Sequence, residues 1–362
     1  MTDSQAPISI SLEGLSKSFG NAVALQPTDL AVRQGEFLTL LGPSGSGKST
    51  LLNLIAGAIA PSSGKIMLDG RDLTNVPPRD RGIGMVFQNY ALMPHMTVFD
   101  NVAYPLRTRR VPSAEIKTRV MESIERVGLK GFEDRKPRQL SGGQQQRVGI
   151  ARCIVYSPEI IMMDEPLGAL DKKLREQMQG EIKRLHQEMG TTFIYVTHDQ
   201  EEALNLSDRV CLMNVGEIAQ LGTPDELYFE PNSKYVAGFI GESNMMEGTA
   251  QDGNTLKIDS GDVIHVPTFA QAAGTRLAAM VRPERLHLVH AGAADAASTE
   301  NRITGKVTEI AFVGSTTRLT VQAAGGMEML VATISETSTT RAAIGDEVTV
   351  GWLPENTVIL DK

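Results

Sequence analysis

The sequence predicts an α/β domain built on a mostly parallel sheet, followed by a smaller all-β domain of barrel type. Three observations carry that prediction. Apolar strands alternate with helix-periodic runs around a glycine-rich turn, "GPSGSGKST" (Gly42 to Thr50), and such alternation argues for parallel strands joined by helical crossovers. From Asn89 to about Gln139 the pattern turns mostly helical, which reads as a subdomain inserted into that alternation. Near Gly241 the texture changes to many short alternating segments separated by Gly, Asn and Asp, the pattern of a small barrel.

Composition sets the outer bounds. A chain of 362 residues exceeds one ordinary core and divides into at least two domains, placed here at 1–240 and 241–362. Hydrophobic content of 41% against 22% charge is that of a soluble globular protein. No run approaches the length of a bilayer span. The start, "MTDSQAPISI", lacks a basic segment followed by an apolar one, so no signal peptide is expected and the chain stays in the cytosol. Cys153 and Cys211 sit in apolar segments and read as small buried hydrophobes. No Cys/His cluster has metal-ligand spacing. The net charge is −8 and both parts are acidic, with only 5% aromatic residues, which argues against a nucleic-acid partner.

The elements follow in order. "ISISLEGLSKSF" and "VALQPTDLAV" alternate apolar and polar positions about a "GN" turn, as paired strands do. "GEFLTLLG" runs as a buried strand into the glycine-rich turn, and "KSTLLNLIAGAIAP" continues as a helix expected to end at Pro61. "GKIMLDG" and "GIGMVFQ" are short strands, and "AEIKTRVMESIERVGL" is the clearest inserted helix. The strand "EIIMMDEP", a helix from Asp171 to Met189 and the strand "TTFIYVTH" complete the expected sheet. In the second domain "TLKID", "LAAMV", "LHLV", "GKVTEIAFV", "TRLTVQ", "MLVATI", "EVTVGW" and "TVIL" read as strands, with an Ala-rich loop over His290 to Asn301.

Five stretches carry chemistry. "GPSGSGKST" fits the phosphate-loop pattern G-x-x-x-x-G-K-[ST]. Its members are Gly42, Pro43, Ser44, Gly45, Ser46, Gly47, Lys48, Ser49 and Thr50. Gly45 and Gly47 let backbone N–H groups face phosphate oxygens, Lys48 adds a point charge at the β- and γ-phosphates, and Ser49 offers a hydroxyl to Mg²⁺. "IIMMDEP" ends an apolar strand in Asp164, suited to the water shell of Mg²⁺, and Glu165, suited to polarise an attacking water. "LSGGQQQRVGIAR" (Leu140 to Arg152) is a second glycine-rich turn opening a helix, where the dipole and free N–H groups hold an anion. His198 in "VTHDQEEA" and Gln88 in "VFQNYAL" also end strands. Alone, each reads equally as a hydrogen-bonded structural residue; together they mark one sheet edge, where doubly wound sheets bind ligands.

In that order, "GPSGSGKST", "VFQNYAL", "LSGGQQQRVGIAR", "IIMMDEP", "LGALD" and "VTHDQEEA" resemble an ATP-binding-cassette (ABC) ATPase subunit over roughly residues 8–240. The resemblance implies an α/β P-loop NTPase fold with an inserted α-helical subdomain (about 89–155), followed by an all-β OB-type domain. It implies ATP and Mg²⁺, and a head-to-tail pair of copies in which Ser141, Gly142, Gly143 and Gln144 act on the nucleotide of the partner's phosphate loop. Phe19 would stack on adenine, Gln88 would touch Mg²⁺ together with Ser49 and Asp164, Asp171 would communicate across the pair, and His198 would sit at the γ-phosphate. Lys48, Glu165 and His198 are then the catalytic set.

The tail segments "GTPDELYFEPNSKYVAGFIGESNMMEG" and "MVRPERLHL" resemble bacterial importer ATPases that carry a C-terminal OB-type (TOBE) module, most of all the spermidine/putrescine group. Sugar, ferric-iron and phosphonate importers have similar cassettes. The resemblance implies two transmembrane permease subunits, an extracytoplasmic solute-binding protein and a place on the cytoplasmic face of the inner membrane. A nucleic-acid-linked ABC protein and a P-loop kinase are the alternatives. The first lacks heptads and a basic face, and the second leaves the Ser141 turn unexplained.

Overall fold

The structure, a computed structural model, describes residues 7–168, 170–289, 301–335 and 342–361. It divides into two compact units, Met1–Pro224 and Asp225–Lys362. The Ala-rich loop expected from His290 lies outside the described residues, apart from Asn301.

The first unit opens with two long antiparallel strands, β1 (Ile8–Phe19) and β2 (Ala22–Arg33), which pair across the expected turn. With β4 (Ser63–Leu68) and β5 (Arg71–Asp72) they make a four-stranded sheet of order β2-β1-β4-β5. The central sheet contains β3 (Phe37–Leu41), β6 (Ile83–Val86), β7 (Ile160–Asp164), β8 (Thr192–Thr197), β9 (Arg209–Asn214) and β10 (Glu217–Gly222). Its order is β10-β9-β3-β8-β7-β6. All its pairings are parallel except that of β10 with β9.

Side-chain alternation assigns the two faces of this sheet. Ile161 and Met163 of β7, with Phe193 and Tyr195 of β8, pack into one cluster. That cluster joins them to α2 (Val98–Thr108), α3 (Ser113–Arg126), α4 (Gly142–Ile154) and α5 (Lys172–Met189). Ile160, Met162, Ile194 and Val196 point the other way, into a cluster with α1 (Lys48–Ala56) and the inner face of the β1/β2/β4 sheet. Helices therefore lie on both faces, and on the α1 side a second sheet supplies much of the cover. The long apolar alternation of Ile10, Leu12, Leu25, Leu30 and Val32 supplies that cover.

Helix α1 stops at Ala56, short of the Pro61 expected to end it. Gly57 takes a left-handed φ of 77° and returns its N–H to Asn53 and Leu54, a glycine stop that ends a helix before any proline is needed. The buried Arg81 then donates to the carbonyls of Leu54 and Ile55, satisfying groups that the helix end leaves bare.

A seventh-strand-like extension is absent from this sheet among the described residues; after the short α6 (Gln200–Leu206), β9 and β10 close its edge. Helices α7 (Pro224–Phe229) and α8 (Lys234–Phe239) follow. The expected boundary at 240/241 falls after them, whereas the compact units divide before all but the first residue of α7. The reason lies in Arg282, which is buried and donates to the carbonyls of Tyr228, Ala237, Ile240 and Glu242. Ala237 also packs on Ala278, Met280 and Leu360.

The second unit is two five-stranded antiparallel sheets sharing one core around Trp352. The first holds β11 (Asn244–Asp252), β12 (Thr255–Ile258), β13 (Val263–His265), β14 (Arg276–Val281) and β20 (Thr357–Leu360). The second holds β15 (His287–Val289), β16 (Asn301–Phe312), β17 (Thr316–Ala323), β18 (Glu328–Ile334) and β19 (Glu347–Trp352). It is the expected all-β, OB-type domain.

Candidate functional site

Because β3, β8, β7 and β6 are parallel neighbours, the residues just after each strand emerge at one edge of the sheet. Those residues are the glycine-rich turn after β3, Gln88 after β6, Asp164 and Glu165 at the end of β7, and His198 after β8. The sheet order thus gathers side chains that are far apart in sequence, at the place where such sheets take ligands.

The turn after β3 is tightly fitted at its base. A Cβ on Gly42, whose φ is 151°, would meet the carbonyl oxygen of Met213 at 2.3 Å. One on Gly47 would meet that of Ala24 at 2.9 Å. Its rim is open: Pro43, Ser44, Gly45 and Ser49 are exposed. Lys48 is buried, and its Nζ donates to the carbonyls of Gly42 (2.8 Å) and Pro43 (2.9 Å). Burial pushes the Lys48 pKa down, against the opposing pull of Glu165 and Asp164. An ammonium turned onto carbonyl oxygens has donors that phosphate oxygens can take over. The loop therefore fits a phosphate chain.

Asp164 is half-buried, and burial raises its pKa; the neighbouring Glu165 charge adds to the rise and Lys48 opposes it. The expected Mg²⁺ set holds a single carboxylate, Asp164, with the Ser49 hydroxyl and the Gln88 amide as its other members. That sparse oxygen set fits an ion held chiefly by phosphates and water.

Glu165 stands in left-handed backbone, with φ 42°, a conformation that costs a residue with a side chain energy and is kept where function requires it. Its N–H donates to the Val196 carbonyl at 3.0 Å, which ties the ends of β7 and β8 together. Its Oε2 lies 3.3 Å from His198 Nδ1 and accepts from Gln88 Nε2 at 3.4 Å. The carboxylate is thus oriented from two sides while His198 stays largely exposed.

Sequence reasoning missed the network that fixes the chain on either side of His198. Glu202 of α6 is buried and accepts from Tyr195 Oη and Thr197 Oγ1, both at 2.8 Å. Burial raises its pKa, and the two hydrogen bonds work against that rise. Asp199 caps α6 and accepts from Arg175 of α5. The only available signal was the acidic run "DQEE", which reads as an ordinary helix start.

The other expected residues stand apart from this cluster. Ser141 caps α4: its Oγ accepts from Gln144 N–H, and Gln144 Oε1 accepts from Ser141 N–H at 3.0 Å. Gln144 is therefore committed to a capping box. Among the described residues, Ser141 to Gln144 make no hydrogen bond or ion pair with Lys48, Asp164, Glu165 or His198. Phe19 is exposed beside the β1–β2 turn, with Lys17 Nζ 5.0 Å from its ring centre. Asp171 is the N-cap of α5, accepting from Leu174 N–H at 2.9 Å.

Comparison with known proteins agrees with this geometry. The family described as ABC transporter matches residues 25–168, and the TOBE domain family matches residues 279–360. The chain is 47% identical to the spermidine/putrescine import ATP-binding protein PotA of Thermobifida fusca, covering 98% of this chain and 94% of that one. It is 44% identical to the protein of the same name from Vibrio vulnificus, covering 97% and 94%. Among solved structures, the dimeric ATP-binding cassette MJ0796 bound to ADP and Pi is 35% identical with a TM-score of 0.54, covering 59% of this chain and 98% of that one. The structure of cbiO1 from Clostridium perfringens, part of the ABC transporter complex cbiONQ, is 29% identical with a TM-score of 0.56, covering 62% and 92%.

Proposed function

Because this chain belongs to the ABC transporter family, as a nucleotide-binding import ATPase with a TOBE domain, we propose that it energises uptake of polyamines of the spermidine/putrescine class. The observation that carries the reading is the meeting of Lys48, Gln88, Glu165 and His198 at one sheet edge, with the Ser141 turn outside it. A site with its own phosphate loop and no anion-holding partner turn is half of a shared site. Two copies, head to tail, place each Ser141–Gly143 turn over the γ-phosphate held by the other copy.

Within one such site, the loop amides and Lys48 hold the β- and γ-phosphates and align the terminal one. Glu165 accepts a proton from the attacking water, whose in-line approach it directs. His198 and Gln88 hold the Glu165 carboxylate in register and report whether the γ-phosphate is present. Ser49, Asp164 and Gln88 would hold Mg²⁺, which when bound would supply neutralisation of phosphate charge. ATP buried between two copies favours the closed pair, and hydrolysis removes that link.

The same reading assigns two transmembrane permease subunits and an extracytoplasmic solute-binding protein as partners, at the cytoplasmic face of the inner membrane. No helix among the described residues is long and apolar enough to cross a membrane, so the conducting path belongs to the permease. Beside Gln88 lies a groove of about 460 Å³, lined among others by Phe87, Met93, Tyr104, Pro105 and Tyr156, which suits an apolar permease segment. Deleting the gene should abolish energy-dependent uptake of labelled spermidine and putrescine and leave maltose and phosphonate uptake intact. Loss of a different solute would reassign the substrate.

A further inference from the structure

Tyr90 and Ala91 follow Gln88 by two and three residues, and both hold left-handed backbone, with φ 58° and 43°. Two adjacent residues with side chains in that conformation are strained unless something holds them. Arg152 of α4 donates Nη2 to the Tyr90 carbonyl at 2.7 Å and Nη1 to the Ala91 carbonyl at 2.6 Å. One planar guanidinium thus takes both carbonyls of the strained pair, a grip that an ammonium cannot reproduce.

The contact continues along α4. A Cβ on Gly149 would lie 3.7 Å from the Tyr90 carbonyl and 3.9 Å from Tyr90 Cβ, and one on Gly142 would lie 4.0 Å from the Tyr90 hydroxyl. Tyr90 therefore lies against α4 from Gly149 back to the turn that begins with Ser141. The Gln88 loop meets the helix at its first turn, its middle and its end.

We propose that Arg152 is a positioning residue that locks the left-handed Tyr90–Ala91 pair onto α4, so that Gln88 and the Ser141 turn move as one body. This rests on the shared-site reading above. With the lock closed, the state of the Glu165 carboxylate, sensed through Gln88, sets where the Ser141 turn is presented to the partner copy. Arg152 would act through the Gln88 loop and the Ser141 turn, not on the reacting atoms.

The test uses the full chain with four variants: Arg152→Met, Arg152→Lys, Ala91→Gly and the double variant Ala91→Gly/Arg152→Met. Arg152→Met should lower kcat about tenfold, the population penalty of one unsupported left-handed residue, with the affinity for a non-hydrolysable ATP analogue unchanged. In a Glu165→Gln background it should also raise the ATP concentration needed for dimerisation by a similar factor. Glycine carries no left-handed penalty, so Ala91→Gly alone should act like the parent. In the double variant it should restore kcat about threefold or more. Arg152→Lys, which keeps the charge and one hydrogen bond, should fall between parent and Arg152→Met.

An Arg152→Met protein with parental kcat and dimerisation overturns the proposal. So does a loss that Ala91→Gly fails to relieve, because Arg152 would then act by another route. If Arg152→Met is unfolded by circular dichroism, Arg152→Lys with and without Ala91→Gly carries the same comparison, and an absence of relief there is equally fatal. Failure of the shared-site reading looks different: the Glu165→Gln protein with Arg152 intact would not dimerise with ATP.

Discussion

Two glycine-rich turns open helices in this chain, and they are built in opposite ways. In the turn from Gly42 to Lys48, Gly42 and Gly47 face backbone at distances no Cβ tolerates, and the lysine is folded into the turn. At Ser141 to Gln144 the turn is capped by its own two ends, Ser141 and Gly142 are exposed, and a Cβ on Gly142 would find only ordinary contact with Leu170 at 3.6 Å. The first turn is shaped by the fold behind it. The second is finished locally and shaped for something outside. On the shared-site proposal a completed site needs both, and one copy brings only one of them to the sheet edge.

The largest effect should come from the carboxylate between the two halves. Glu165→Gln keeps the shape and the left-handed backbone but removes the proton acceptor, so kcat should fall by about 10²–10⁴ while ATP still binds. ATP should then hold a stable dimer, seen by size-exclusion chromatography with light scattering. Near-normal turnover in a folded Glu165→Gln protein would break the comparison at its centre.

Next come the two turns themselves. Lys48→Ala removes a charge-assisted contact made in the ground state and should weaken nucleotide binding by about ten- to a hundredfold. Ser141→Arg should leave binding to the isolated copy intact and block closure by its bulk. A mixed dimer of the two variants has one site with both lesions and one with neither. It should trap nucleotide with a transition-state analogue at a single site, whereas neither homodimer should trap any. No trapping in the mixed dimer, with both copies folded, would mean that the turns do not meet across a pair.

Much of this was legible before any coordinates. The phosphate loop and the strand-end pair Asp164–Glu165 stand out because their spacing is local, whereas His198 and Gln88 gain weight only from the company of the other strand ends. The parallel sheet followed from alternation, and so did the all-β second unit. Other features were not legible, for physical reasons. The role of Arg175 and Glu202 behind His198 depends on α5 and α6 lying together, which no spacing encodes. The left-handed conformations of Glu165, Tyr90 and Ala91 leave no trace in residue type, since none is Gly or Asn. The second sheet that covers β3 and β7 reads in sequence like any other pair of alternating strands. Helices α7 and α8 look like the close of the first unit, whereas the buried Arg282 and the packing of Ala237 tie them to the second, and neither shows in the spacing.

A smaller effect separates the two turns by stability rather than rate. Gly42→Ala forces a methyl group onto the Met213 carbonyl and should cost about 1–3 kcal/mol of stability, as overpacking does. Gly142→Ala places a good helix former at an open position and should leave stability within about 0.5 kcal/mol of the parent. Denaturant melts of both proteins check this directly. Equal destabilisation would show that the Ser141 turn is as constrained from behind as the phosphate loop.

The smallest effect concerns Gln144, which the sequence assigned to the nucleotide and the structure engages in the capping box. If the cap is its main work, Gln144→Ala should cost about 0.5–1 kcal/mol, the low end of the range for losing a helix cap. The Ser141 N–H then loses its acceptor but can turn to water, because the position is exposed. Nucleotide affinity of the isolated copy should not change, since the turn lies outside that copy's own site. ATP-dependent dimerisation in the Glu165→Gln background is the deciding measurement. A shift no larger than the stability loss accounts for makes Gln144 a brace for Ser141. A tenfold or greater rise in the ATP needed for dimerisation, at unchanged stability, would assign its amide to the partner's nucleotide after all, about the loss expected for one charge-assisted hydrogen bond.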